Sequence, residues 1–257
     1  FLFVISSVFV SAQTPTGPVA SYDGSKTATG QLQDGSGNSL HGTFFNGATT
    51  TSTDGKPAPS MSFDGVNDYA IADIPDFSGD FTFSSWVRPL SSFNPEFSGI
   101  VSSVDTMGAI DPWGNSFQID TGGALAGCSG QYRFLGSDSS DLSGALANVI
   151  PLCIGNVDVN NFHHLAVTYT SGTLRAYYDG LPTNSLTPAV PFIPSLRKVM
   201  LGRNRIGTIF FGGSIDETRI YSRALTASEI VALATAAPAL PAGVSSTTGT
   251  VTIEISC

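Results

Sequence analysis

Two adjacent histidines, His163 and His164 in NNFHHLAVTYTSGTLRAYYDG, are the side chains best suited to move a proton or hold a metal ion in a chain with 3 histidines. Imidazole titrates near neutrality and is the commonest metal ligand. Their context predicts a strand, and consecutive strand residues point to opposite faces, so the pair cannot serve one ion unless the strand bulges. A structural role is expected instead, a ring nitrogen meeting a backbone carbonyl while the ring packs against its neighbours. Paired carboxylates are the other chemistry to look for. Retaining glycoside hydrolysis needs two carboxyl groups about 5 Å apart, which on one strand face means alternate positions. In GSIDETRI, Asp216 and Glu217 are adjacent and so expected to face opposite ways, with Ser214 and Thr218 at the alternate positions. None of Glu96, Glu217, Glu229 and Glu254 has an acidic neighbour two residues on. G-x-S-x-G and H-E-x-x-H are also missing. No enzyme is predicted.

Composition narrows the partners. The 257 residues carry a net charge of −9 with only 11 Lys and Arg, spread thinly, so the basic footprint that phosphate backbones require is missing and composition disfavours nucleic acid as a partner. FLFVISSVFVSAQ is apolar from Phe1 to Val10 and reaches Ser11 and Ala12, where a signal peptidase would read small residues. Residues 1–12 are expected to be a signal peptide that continues upstream, with a buried first strand as the competing assignment. The run falls short of the about 20 apolar residues a membrane span needs, and no other stretch supplies one. A secreted or cell-surface location follows, and thiols oxidise there. Cys128 and Cys153 flank a segment rich in Gly, Ser and Asp, so they are expected to pair, closing a loop worth about 3 kcal/mol. Cys257 is left to bond something beyond the fragment.

These groups must be held by strands. FTFSSWVRP sets Phe81, Phe83, Ser85 and Val87 on one face and Thr82, Ser84, Trp86 and Arg88 on the other. HLAVTYTSGTLRAYYDG predicts a hairpin with turns at Ser171–Gly172 and Asp179–Gly180. SMSFDG, DYAIAD, GIVSSV, SFQID, KVMLGRN and SIDETRIY are further strands. Thr226 and Glu229 form a capping box before the single short C-terminal helix. Many strands with frequent turns predict an all-β, two-sheet antiparallel sandwich. Residues 237–249 have linker composition, and 250–257 either begin a following module or add an edge strand.

LQDGSGNSLHGTFFNGA, SMSFDGVNDYAIAD, FTFSSWVRP, FHHLAVTYTSGTLRAYYDG, LGRN and GSIDETRIYSRALTASEI, in this order, resemble the laminin-G-like (LamG-like) domains of the concanavalin A-like lectin/glucanase superfamily. The resemblance covers residues 19–236 and implies a jelly roll of about a dozen or more strands. Phe162 departs from it, standing where such domains often carry Trp, and the stretch from Asp105 to Asn160 matches none of its motifs. It also implies a structural calcium with Asp34, Asn38 and Asp216 as candidate ligands. The competing reading makes Asp34 to Asn38 a turn held by side-chain to backbone bonds. The unmatched insertion holds Trp113 and Tyr132, candidates to stack on a sugar ring, or else core residues under a long loop. The function expected is a non-catalytic extracellular recognition module, binding carbohydrate or a protein ligand and attached to further modules. A spacer or adhesion unit and a divergent glycosidase are the alternatives.

Overall fold

A computed structural model describes residues 17–56, 59–77, 79–90, 95–104, 117–137, 149–188 and 196–235. The expected signal peptide at 1–12, the linker at 237–249, the segment 250–257 and Trp113 lie outside the described residues. In chain order the strands are β1 (Ala20–Tyr22), β2 (Thr43–Phe45), β3 (Thr49–Thr51), β4 (Ser60–Asp64), β5 (Tyr69–Phe77), β6 (Phe81–Pro89), β7 (Gly99–Val104) and β8 (Phe117–Thr121). They continue with β9 (Gln131–Ser137), β10 (Val149–Asn156), β11 (His163–Thr170), β12 (Thr173–Tyr178), β13 (Leu181–Leu186), β14 (Leu196–Leu201) and β15 (Gly212–Tyr221), and the helix α1 (Ala227–Thr235) follows. One sheet runs β13-β12-β11-β6-β15-β4-β3, with β1 also paired to β15, and the other runs β10-β9-β8-β7-β14-β5-β2.

Period-two alternation builds the core between them. Phe81, Phe83 and Val87 of β6 face inward with Leu165 and Val167 of β11, and meet Phe117, Ile119 and Phe134 of the second sheet. Phe81 and Phe117 stack across the gap at 5.4 Å. Ser85 shares the inward face, where its hydroxyl meets the Thr218 hydroxyl at 2.9 Å and the Asp216 carbonyl at 3.1 Å, so burial leaves it paired. The β11–β12 hairpin turns on Ser171 and Gly172 with φ of 48° and 80°, and β12 turns into β13 on Asp179 and Gly180 with φ of 50° and 82°. Both are the doubly left-handed turns whose twist matches the flanking strands.

α1 lies on the outer face of the first sheet. Ile230 and Leu233 pack on Ala166, Tyr177 and Tyr221. Its first turn is closed by the expected box, with Thr226 N donating to Glu229 Oε2 at 2.8 Å and Glu229 N donating to Thr226 Oγ1 at 3.3 Å.

Candidate functional site

The histidine pair divides between the two faces of β11. His163 stacks on Tyr178 at 4.7 Å, with Nδ1 2.7 Å from Asp179 and Nε2 3.2 Å from Asp158. His164 is 1% exposed on the outer face, edge-on to Trp86 at 5.4 Å. Burial, aided by the charge of Arg219, pushes its pKa down to about 3, so the ring is neutral. The backbone-carbonyl bond expected for a structural histidine is not formed, because neither ring nitrogen has a partner.

The carboxylate pair corrects a sequence expectation. β15 bulges between Asp216 and Arg219, where its register against β6 shifts, and Glu217 takes a φ of 49°. A bulge re-aims side chains that a regular strand would alternate. Glu217 therefore turns to the face of Asp216 and ion-pairs with Arg219. Neither acid is open to a substrate. Asp216 is fully buried, accepting from the backbone N–H groups of Lys56 and Glu217. Burial, with Glu217 adding to it, pushes its pKa up to about 8 against those two bonds.

The calcium candidates do not converge either. Asp34 is buried and accepts from the N–H groups of Ser21, Ser36 and Leu40 at 2.9 Å each and from the Ser36 hydroxyl at 2.7 Å. Burial opposes ionisation, but these bonds hold the carboxyl below its ordinary range. Four donors occupy the roughly four lone-pair positions a carboxylate offers. Asn38 spends its amide on the Val19 carbonyl at 2.9 Å, and Asp216 is bonded elsewhere. The arrangement is a clasped turn and does not fit a calcium ion. Among the described residues no group of three or more His, Cys, Asp or Glu is placed to hold a metal.

In the insertion, Cys128 and Cys153 are bonded with Cα atoms 5.4 Å apart, tying the β8–β9 loop to β10. Tyr132 does not serve as a surface platform. It alternates inward on β9, is 0% exposed in the core and lies 6.5 Å from the Tyr178 ring, so it has no open face for a sugar. What the insertion does build is a rim cavity of about 300 Å³ between the β6–β7, β8–β9 and β10–β11 loops, lined by residues including Glu96, Thr121, Gly123, Ala124, Val157 and Val159.

Sequence reasoning missed the group that shapes this cavity. Arg133, fully buried on β9, bonds Asp120 through Nε at 2.9 Å and Nη2 at 3.2 Å, and reaches Glu96 at 3.1 Å. Glu96 in turn accepts from the Leu125 and Ala126 N–H groups, each at 3.1 Å. Burial opposes its charge, while these N–H groups and Arg133 hold its carboxyl below the ordinary range. A Cβ on Gly123 would come 2.4 Å from the Glu96 side chain, so the wall requires glycine there. Pro89, Ala124, Val157 and Val159 give the lining a largely apolar character with few polar groups, as ligand pockets commonly have.

Residues 63–231 match the Laminin_G_3 family, described as the concanavalin A-like lectin/glucanases superfamily. No curated protein matches. Among solved structures, domain 4 of AbnA, a GH43 extracellular arabinanase from Geobacillus stearothermophilus in complex with arabinotriose, superposes with a TM-score of 0.61. It shares 21% identity, over 85% of this chain and 98% of that one. The binding domain of botulinum neurotoxin serotype D gives 0.62 at 13% identity, over 85% and 51%. The binding domain of Paraclostridial Mosquitocidal Protein 1 gives 0.58 at 18%, over 85% and 52%. The chain thus spans about half the length of the toxin domains.

Proposed function

The chain belongs to the concanavalin A-like lectin/glucanases superfamily, and on that premise we propose that it is a non-catalytic extracellular recognition module that binds carbohydrate at the rim of the sandwich. The single observation that carries this reading is the loop-lined cavity of about 300 Å³, whose size and largely apolar wall suit a short saccharide. Its walls are held by a disulfide and by the buried Arg133, so the site is organised before a ligand arrives. The structural likeness to an arabinanase domain bound to arabinotriose supports a sugar as the ligand class. The disulfide supports an oxidising, extracellular setting. The burial of Asp216 and the ion pair of Glu217 support a role without catalysis.

Calorimetric titration with arabinotriose and a glycan array test the proposal. Ala124 is exposed on the cavity wall, so Ala124→Trp fills the space without disturbing the core. Neutral oligosaccharide binding should fall by at least about tenfold in that variant, the equivalent of one lost contact of roughly 1.4 kcal/mol, with the melting temperature unchanged. An array without a single bound glycan, or new reducing ends released from any oligosaccharide, would overturn it.

A further inference from the structure

The outer face of the first sheet carries a feature that the rim cavity does not use. Trp86 and Arg88 alternate on β6 and so lie on one side of it, and Phe162 sits at the start of the neighbouring β11, just before His163, which pairs with Val87. The Arg88 guanidinium carbon lies 4.8 Å from the Phe162 ring centre, and Lys56 Nζ lies 5.4 Å from that of Trp86. Thus two of only 11 basic residues, in a chain of net charge −9, stand over two partly exposed aromatic rings on one face.

Most of the ionisable groups around this strip are already paired, and Asp23 lies near enough to act on Asp216 and Glu217. Asp54 is taken by Arg88 and by the Ser214 hydroxyl at 2.8 Å. Glu217 is taken by Arg219. Asp216, opposite Trp86 in the sheet, keeps its proton at neutral pH because burial raises its pKa. Lys56 has no carboxylate partner among the described residues, and its side chain is exposed. Edge-on to the indole, His164 is nine-tenths buried or more and neither ring nitrogen is bonded, nor is the hydroxyl of buried Ser84 on the same face. These atoms are sealed from the surface, so they do not contact a ligand lying on Trp86.

We propose that Phe162, Arg88, Trp86 and Lys56 form a binding strip for an acidic saccharide, a sugar ring bearing a carboxylate. The apolar C–H face of the ring packs on Trp86, and the flexible Lys56 side chain swings from the indole to the carboxylate, with Arg88 as the second donor. A neutral sugar needs the aromatic but makes no use of the unpaired Lys56 ammonium, and the overall acidity of the chain disfavours a nucleic acid. The inference rests on the carbohydrate reading of the module and is independent of the rim cavity.

Titration of the full chain with tetragalacturonate and with its methyl ester, which keeps the rings and removes the charges, tests it. The acid should bind about tenfold more tightly than the ester, as one charge-assisted contact provides, and added salt should narrow the gap. Lys56→Gln, at an exposed position where folding is not at stake, should weaken the acid about tenfold and leave the ester unchanged. Trp86→Ala should weaken both. An acid that binds no better than its ester, or a Lys56→Gln chain that binds the acid as well as the parent, overturns the proposal. If Ala124→Trp abolishes acid binding, the sugar sits in the rim cavity, and the strip falls while the module reading stands. Absence of binding to any saccharide, acidic or neutral, removes both.

Discussion

Arg133 is a fully buried cation whose survival in the interior depends on named partners. Taking a guanidinium out of water costs several kcal/mol unless paired and hydrogen-bonded. Here Asp120 supplies two bonds, Glu96 one and the Gly127 carbonyl another at 2.9 Å. Burial pushes Asp120 up to about 6 while Arg133 and Gln118 pull it down, so the carboxylate stays ionised at neutral pH only because the guanidinium is there. Arg133→Met should therefore lower unfolding stability by about 3–5 kcal/mol in urea titrations, the cost of leaving a buried charge alone. A second change, Asp120→Leu, should recover a good part of that loss. If Arg133→Met alone costs less than about 1 kcal/mol, the network is not what holds the cavity wall. None of this was legible in the sequence, because Asp120 and Arg133 lie in different strands and nothing local pairs them. His163 and His164 were legible as residues on opposite faces, since alternation alone decides that.

Elements were legible where apolar and polar residues alternate or where turn and cap residues mark the ends, even though both faces of β6 and β11 are largely buried. β6 and the β11–β12 hairpin show this, as does α1, whose Thr226 and Glu229 sit at the spacing a capping box requires. β9 escaped notice because its outward positions are also covered. Leu135 and Arg133 are both buried, which blurs the apolar and polar alternation of a one-sided strand. The β15 bulge was illegible for another reason: the rule of opposite faces presumes regular dihedrals, and Glu217 leaves them. The disulfide belongs to this scale because it joins a loop to a strand. It closes 25 residues of sequence, so replacing both cysteines, Cys128→Ser with Cys153→Ser, should cost about 3 kcal/mol by the loop-entropy argument. Since the β8–β9 loop also forms a cavity wall, the same variant should weaken saccharide binding at temperatures where it remains folded. Thermal melts with and without reductant check the first expectation, and retained full affinity in the folded double variant would detach the disulfide from the site.

Across the whole molecule, shifted carboxyl groups pull stability in opposite directions with pH. Glu229 is drawn down to about 2, chiefly by its bonds with Arg223, and Asp34 and Glu96 are also held low. A depressed folded-state pKa gives stability above the ordinary carboxyl range that disappears as pH falls through the folded value. Asp216 and Asp120 behave oppositely. Their pKa values are raised to about 8 and about 6 by burial, so their contribution is complete below the ordinary carboxyl range and fades as pH climbs through those values. Stability should accordingly peak under mildly acidic conditions and decline towards pH 9, where Asp216 must hold a buried charge beside Glu217. Asp216→Asn imitates the protonated acid in shape and keeps an acceptor for one of the two N–H groups, those of Lys56 and Glu217, that bond its two oxygens. It should flatten the decline by roughly 2 kcal/mol between about pH 5 and pH 9, less than the full shift because water and local relaxation reach a charge so near the surface loops. Urea unfolding across that range measures it. His164, held neutral, costs stability as pH falls below its ordinary range, so the comparison of the two chains and not the parent curve alone is decisive. An Asp216→Asn chain with the same slope as the parent would show that the carboxyl is ionised throughout and that the strip beside Trp86 carries one more negative charge than the acidic-saccharide proposal allows.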